Sequence, residues 1–330
     1  MNGPARARNR CGIILAAGDG ERVGPLIRRL RGHNLPKQYV NFIGRRSMLE
    51  HTLCRAEMLI PRDRLFTVVS KDHLRYPQVW RQLASRAART VVFQPENKET
   101  GPGVLLPLMY IRKRDPDSTV AMFPSDHFIV EEGLFMTYVD LAFRVVERDR
   151  SCLVLLGMEP SEAEPEYGYI TPGNKVGRLA PLPVHEVLRF VEKPAPHAAR
   201  KLIQEGGLWN TLVMVFSVDR LLHLVRMVAP ALYRRFENIY KAIGRSAESD
   251  VIDETYRDID TVNFSRGLLE PISTFHGTSL LVMPVKGVLW SDWGSEQRIL
   301  SVLRRDSSLA RSDAPPDNQS QPTKKIAATQ

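Results

Sequence analysis

Between Cys11 and about Gly157, short β-rich apolar runs alternate with longer stretches of helical periodicity, and few architectures accept that order. Strands are expected at 12–15, 65–69, 90–93, 119–123 and 152–156, with helices around 48–59, 79–88, 104–112 and 132–147. Strand, crossover helix and strand in repetition make an α/β fold, a mostly parallel sheet flanked by helices on both faces. Pro107 removes a backbone donor inside the third helix and should kink or shorten it. Ligands of open sheets bind beyond the carboxyl ends of the strands, where the loop after residue 15 and Asp126 both fall.

Past Pro160 the pattern loosens into strand-like pieces at 167–171, 187–191 and 208–216, a helical stretch at 218–243, and a final strand pair at 279–283 and 287–290. This half reads as a β-rich extension built onto the same sheet. The expected organisation is a flexible arm at 1–10 and a folded unit at 11–305, whose two parts are 11–157 and 158–305. Residues 306–330 are polar, cannot offset their ordering entropy, and are expected to be a disordered tail.

The segment CGIILAAGDGERVGPLIRRLRGHNLPKQY suggests phosphate chemistry. Ile13, Ile14 and Leu15 end a buried strand, Gly18 and Gly20 let backbone amides approach an anion closely, and Arg22 and Lys37 supply cations. A dinucleotide fingerprint would need glycine in place of Val23, and a Walker loop would need Ser or Thr after its lysine. A plain tight turn accounts for the glycines but leaves Arg22 and Pro36-Lys37-Gln38 unexplained.

The net charge of +9 includes Arg6, Arg8 and Arg10 of the expected arm, and the rest is scattered without a basic, aromatic-interleaved block. A basic interior for phosphorylated small molecules accounts for it as well as a nucleic-acid surface does, and no nucleic-acid partner is expected. Cys11, Cys54 and Cys152 lack metal-ligand spacing and sit in apolar contexts, as buried thiols of a reducing compartment would. No run approaches the roughly 18 apolar residues of a membrane span, and no signal-peptide region opens the chain. A cytoplasmic protein without membrane partners is expected.

Two acids stand out. Asp126 follows an apolar strand in Phe123-Pro124-Ser125-Asp126-His127, and Asp292 lies among aromatic and small residues in Leu289-Trp290-Ser291-Asp292-Trp293-Gly294-Ser295. Together they could hold one hard divalent ion such as Mg2+, which takes one or two carboxylates plus substrate phosphates and water. Asp126 serves equally well as a helix cap. His127 is expected to be a satisfied neighbour, since no other histidine has ligand spacing to it.

In order, LAAGDGER, PKQ, FPSDH, EYGYI, FVEKP, WNTLVMVF and WSDWGS resemble the sugar-1-phosphate nucleotidyltransferases, most of all the mannose-1-phosphate guanylyltransferases, over about residues 11–305. The resemblance implies a Rossmann-like nucleotidyltransferase fold with a β-rich sugar-binding extension. It implies Mg2+-dependent attack of a sugar 1-phosphate on the α-phosphorus of a nucleoside triphosphate, with pyrophosphate leaving. GTP and mannose 1-phosphate would be the substrates, and a homodimer a candidate assembly. Carried over by motif, the nucleotide would lie on Leu15, Ala16, Ala17, Gly18, Gly20, Arg22, Lys37, Pro124 and Asp126. Arg22 would meet the leaving phosphates, Lys37 would bridge triphosphate and transition state, and Asp126 and Asp292 would hold the metal. On the sugar side Gly168 allows close approach, Glu192 accepts from hydroxyls, Lys193 pairs the phosphate and Asn210 bridges both. Trp209 and Trp290 are expected in the core.

The chain departs from that pattern at several points. Glu99 replaces the usual amide in the run Gln94-Pro95-Glu96-Asn97-Lys98-Glu99-Thr100-Gly101-Pro102 before the third helix, Glu21 stands for Thr, residues 28–34 form a longer insertion, Thr211 and Leu212 replace Ser and Gly, and Ser265 replaces Asp. Two rival readings follow: the same reaction with another base or hexose, and a catalytically weak relative that binds nucleotide sugar and regulates a partner.

Overall fold

Along strand β1 (Arg10–Leu15), Cys11 and Ile13 enter one core and Ile14 enters another, because successive side chains of a strand face opposite sides of the sheet. The same alternation recurs in β4 (Thr119–Pro124), where Val120 and Met122 face one core while Ala121 and Phe123 face the other. The sheet is thus covered on both faces, which explains strands that read as nearly continuous apolar runs. A computed structural model describes residues 9–275 and 279–305. The expected tail at 306–330 and the arm residues 1–8, with Arg6 and Arg8, lie outside them.

The remaining strands are β2 (Leu65–Ser70), β3 (Val91–Gln94), β5 (Phe128–Ile129), β6 (Leu153–Met158), β7 (Gly168–Lys175), β8 (His185–Glu192), β9 (Leu208–Ser217), β10 (Leu280–Val285) and β11 (Trp290–Ser291). Of the eleven strands among the described residues, nine form one sheet in the order β3-β2-β1-β4-β9-β6-β10-β8-β7. β3, β2, β1 and β4 are mutually parallel, and β10 is parallel to β6. Between β4 and β6, however, lies β9, antiparallel to both. A strand from the second half of the chain therefore fills the middle of the sheet, and the expected parts 11–157 and 158–305 share that sheet and the cores on both of its faces.

The helices are α1 (Gly24–Arg31), α2 (Met48–Ala56), α3 (Pro77–Leu83), α4 (Thr100–Arg114), α5 (Glu132–Arg148), α6 (Pro196–Gln204), α7 (Val218–Val228), α8 (Pro230–Ala242), α9 (Glu248–Asp258), α10 (Glu270–Thr274) and α11 (Glu296–Arg305). Several expectations are corrected. α4 runs unbroken through Pro107: Val104, Leu105, Leu106, Leu108, Met109 and Ile111 are all at most 1% exposed. Burial of about 1.5–3 kcal/mol per side chain outweighs the roughly 3 kcal/mol cost of the proline. The stretch 218–243 divides at Ala229, where Pro230 starts α8.

Arg10 is no part of a loose arm. It opens β1 at 8% exposure, pairs at 2.7 Å with both Asp140 and Glu147 of α5, and lies 4.5 Å over the Phe143 ring. Cys54 is exposed, unlike the buried Cys11 and Cys152, because it falls off the α2 stripe formed by Leu49, Thr52, Leu53 and Ala56. The final strand pair does not form either. β10 joins the main sheet, while β11 pairs with β5, Trp290 opposite Ile129 and Ser291 opposite Phe128. Among the described residues no helix is long and apolar enough to cross a membrane.

Candidate active site

The in-register pairing of Leu15 with Pro124 makes the loops after β1 and β4 leave the sheet side by side. Ser125 secures the junction, donating to the Leu15 carbonyl from its amide at 3.1 Å and its hydroxyl at 2.6 Å. Asp126 therefore stands beside the glycine loop. That loop is pinned from below by buried Gln38, whose Nε2 donates to the Ala16 and Gly18 carbonyls, each at 2.8 Å, and by the Tyr39 hydroxyl on the Ala16 carbonyl at 3.0 Å. Ala17 is buried beside it. Gly20 has φ 63°, and a Cβ there would lie 2.8 Å from the Lys37 Cβ. Both facts demand glycine.

Lys37 is 4% exposed. Its Nζ pairs with Asp126 Oδ2 at 2.8 Å and donates to the Asp292 carbonyl at 2.6 Å and the Trp293 carbonyl at 3.4 Å. The β5–β11 pairing brings the second acid to this point. Asp292 thus meets the lysine through its main chain. Its carboxylate accepts from Arg298 at 2.9 and 3.0 Å, from the Tyr167 hydroxyl at 2.9 Å and from the Gly294 amide at 2.9 Å. Burial opposes ionisation of both acids, yet the cations prevail. Lys37 holds Asp126 below its ordinary value, and Lys37 and Arg298 do the same for Asp292. Burial pushes the His127 imidazole down to about 4 against the pull of Asp126, and its Nδ1 accepts from Trp290 Nε1 at 3.3 Å. His127 is therefore a neutral neighbour.

The two carboxylates, both ionised, are hard donors of the kind a divalent ion takes with substrate phosphates and water. Among the described residues no group of three or more acidic, histidine or cysteine side chains is placed to cage a metal. The donor chemistry thus fits a cation that arrives with its substrate, with Arg298 giving up part of the Asp292 carboxylate.

On the sugar side, register puts Gly168 opposite Glu192 and Gly157 opposite Asn210. A Cβ on Gly168 would lie 2.7 Å from Glu192 Oε2 and 3.3 Å from the Asn210 Cβ, so the three converge on one spot. Burial raises the Glu192 carboxyl against the opposing pull of Lys193 and Arg266. Lys193 and Leu212 both hold positive φ, 49° and 57°. The Leu212 amide donates to Asn210 Oδ1 at 3.0 Å, which fixes the amide side chain. Thr211 donates to the Leu156 carbonyl at 2.8 Å and accepts from the Val213 amide at 3.1 Å, work a serine would do as well. Trp209 and Trp290 are buried with Tyr167 in an aromatic cluster.

Between the halves stands a residue that sequence reasoning missed. Glu166 Oε2 is 3.0 Å from Arg22 Nη1 and 3.8 Å from Lys193 Nζ, so one exposed carboxylate gathers a cation from each side. Arg298 and Tyr167 were missed as well. Glu164 completes that cluster, 2.7 Å from Arg298 Nη2. On the far side of the glycine loop, Asp19 accepts from Asn97 at 2.7 Å and lies 3.2 Å from buried His73. Glu99, at φ 69°, lines a cavity of about 130 Å³ with Leu15, Ala17, Gly18, Gln94 and Asn97. Glu21 is exposed; residues 28–34 contain the end of α1, tied to α11 by Arg29 and Glu296 at 2.5 Å.

A family model described as nucleotidyl transferase matches residues 11–308. The chain is 26% identical over 296 residues to the xanthan biosynthesis protein XanB of Xanthomonas campestris and 27% identical over 300 residues to a mannose-1-phosphate guanylyltransferase of Salmonella muenchen. Each alignment covers 89% of this chain and 59% of the relative, so the chain spans about three fifths of these relatives' length. The structure of a mannose-1-phosphate geranyltransferase from Thermus thermophilus superposes with a TM-score of 0.73 at 26% identity, covering 89% of this chain and 79% of that one.

Proposed function

This chain belongs to the nucleotidyl transferase family, and on that premise we propose that it transfers a nucleotidyl group from a nucleoside triphosphate to a sugar 1-phosphate, most specifically from GTP to mannose 1-phosphate. The observation that carries the reading is the buried Lys37 ammonium, against Gly20 of the glycine loop and paired with Asp126 just beyond the end of β4.

A phosphate oxygen of the sugar phosphate forms the new bond to the α-phosphorus as the bond to the β-phosphate oxygen breaks, and pyrophosphate departs. The nucleophile is already an anion, so the difficulty is charge repulsion, and positioning with electrostatic stabilisation does most of the catalysis. Lys37 meets charge developing at the α-phosphate, Arg22 the leaving phosphates and Lys193 the sugar phosphate. Glu192 and Asn210 orient the hydroxyls. Mg2+ held by Asp126 and Asp292 would neutralise phosphate charge. Glu99 in the small cavity beside the glycine loop is the position at which the second reading, the same reaction with another base, would be decided.

Pyrophosphate release, measured over a panel of nucleoside triphosphates and sugar 1-phosphates, is expected to be greatest with GTP and mannose 1-phosphate and to vanish on chelation. Release with no pair would sink the enzyme reading in favour of a regulatory relative. A preference for UTP, dTTP or ATP would sink only the base assignment.

A further inference from the structure

Two arginines far apart in the chain meet at one glycine. A Cβ on Gly294 would lie 2.8 Å from Arg298 Nη1, 3.1 Å from Arg22 Nη2 and 2.5 Å from Asp292 Oδ2, so both guanidinium groups reach the same point beside the second acid. Any larger residue there would hold them apart. Arg22 arrives from the turn that follows the glycine loop, and Arg298 from the first turn of α11, where its amide donates to Ser295 Oγ at 3.3 Å.

Like charges so placed repel, and each is balanced by a carboxylate of the turn before β7. Glu166 takes Arg22 Nη1 at 3.0 Å, and Glu164 takes Arg298 Nη2 at 2.7 Å and Nε at 3.2 Å. The Arg298 guanidinium also lies 4.6 Å over the Tyr167 ring. These contacts fix its plane and leave Nη1 to Asp292 alone. Arg22 is exposed, and its Nη2 has no partner among the described residues. A guanidinium presents its donors as a rigid fork that matches phosphate oxygens. Two forks converging on one point suit an anion with more oxygens than a single phosphate offers.

We propose that Arg298 is a second phosphate-binding arginine, which closes with Arg22 on the linked β- and γ-phosphates that leave as pyrophosphate. The inference rests on the proposed reaction and gives α11 a substrate contact beyond the WSDWGS segment. Once Asp292 serves the divalent ion, Arg298 keeps Nε and Nη2 on Glu164 and offers Nη1 to a phosphate oxygen from where it stands.

Isothermal titration of the full chain with inorganic pyrophosphate in excess Mg2+ tests the assignment. Arg298→Met is expected to bind pyrophosphate at least about tenfold more weakly than wild type, the scale of a lost charge-assisted contact. Arg298→Lys keeps the charge without the fork and should bind at least about threefold more weakly; it carries the test if circular dichroism shows the Met variant unfolded. Mannose 1-phosphate should bind either variant within about twofold of wild type. A role confined to steadying Asp292 has a separate signature, read by paramagnetic resonance of Mn2+. Both variants should bind Mn2+ no more weakly than wild type, because Asp292 keeps the Tyr167 hydroxyl and the Gly294 amide as donors. Undiminished pyrophosphate binding in a folded variant, an equal loss for mannose 1-phosphate, or weakened Mn2+ binding would overturn the role of Arg298 and leave the reaction standing. A wild-type chain that fails to bind pyrophosphate would overturn it too, whatever its turnover. Pyrophosphate binding that depends on Arg298, in a chain that releases none from any substrate pair, would keep the arginine pair and remove the proposed reaction.

Discussion

Lys37 Nζ lies 2.8 Å from Asp126 Oδ2, while the main-chain carbonyl of Asp292 takes a second of its protons at 2.6 Å. A cation so held has no freedom to search for its phosphate. Its contribution to transfer is therefore preorganised. Lys37→Met should lower kcat by about a hundredfold or more, the scale of a lost electrostatic contact of roughly 3 kcal/mol. Lys37→Arg should not restore it, since a planar fork cannot fill the place of a compact ammonium among two carbonyls and a carboxylate. Steady-state kinetics at saturating substrates decides; a Met variant within about threefold of wild type would remove Lys37 from the chemistry.

Gly20→Ala attacks the same lysine from the backbone. The new methyl would stand 2.8 Å from the Lys37 Cβ, at a φ of 63° that side chains rarely adopt. We expect a stability loss of about 1–2 kcal/mol by thermal or urea unfolding and a fall in kcat larger than the rise in KM. Unchanged kcat would mean that Lys37 tolerates displacement.

Glu166→Gln should act in the opposite direction. Arg22 and Lys193 are about half exposed, so their pairing with Glu166 is weak, and exposed pairs contribute about 0–1 kcal/mol. Freeing them should lower KM for triphosphate and sugar phosphate by about two- to fivefold, with kcat within about twofold. A rise in either KM would show Glu166 to be a binding group.

Glu99 offers only acceptors while ionised. Guanine presents paired donors, N1–H and the 2-amino group, whereas adenine presents an acceptor at N1. Glu99→Asn should reduce the kcat/KM ratio of GTP to ATP by at least about tenfold, the scale of a lost hydrogen-bond readout. An unchanged ratio would place base selection elsewhere.

His127, pushed down to about 4 by burial, should stay neutral from pH 5.5 to 8. The unfolded chain binds that proton below about 6.5, so this residue's contribution to stability is full above that pH and is lost as pH falls toward 4. Asp126 and Asp292, both depressed, add stability that is present above the ordinary carboxylate range and lost below it. Histidine NMR titration checks the first statement; an inflection near 6.5 would contradict it.

The residues legible in the sequence are those whose type answers to one strand end. Asp126, Gly168 and Asn210 each follow or occupy an apolar run whose place is set by strand register, and Lys37 is marked by its Pro36 and Gln38 neighbours. Glu166, Tyr167 and Arg298 were invisible because their partners are 144, 125 and 134 residues away, and nothing local marks a glutamate that will meet a distant arginine. Arg10 and Pro107 misled for the reverse reason. Local chemistry said loose arm and a kinked or shortened helix, and tertiary burial held Arg10 in β1 and kept α4 at full length.

The antiparallel strand β9, lodged between β4 and β6, bears on how the chain is born. When residues up to 157 have left the ribosome, β4 and β6, the two neighbours of β9 in the finished sheet, have open edges facing a gap that residues 208–217 fill. The nascent first half is thus an incomplete template, prone to pairing with any passing strand until β9 emerges. Separate expression of 11–157 should yield aggregate, and its rescue should need the later segment in the same vessel.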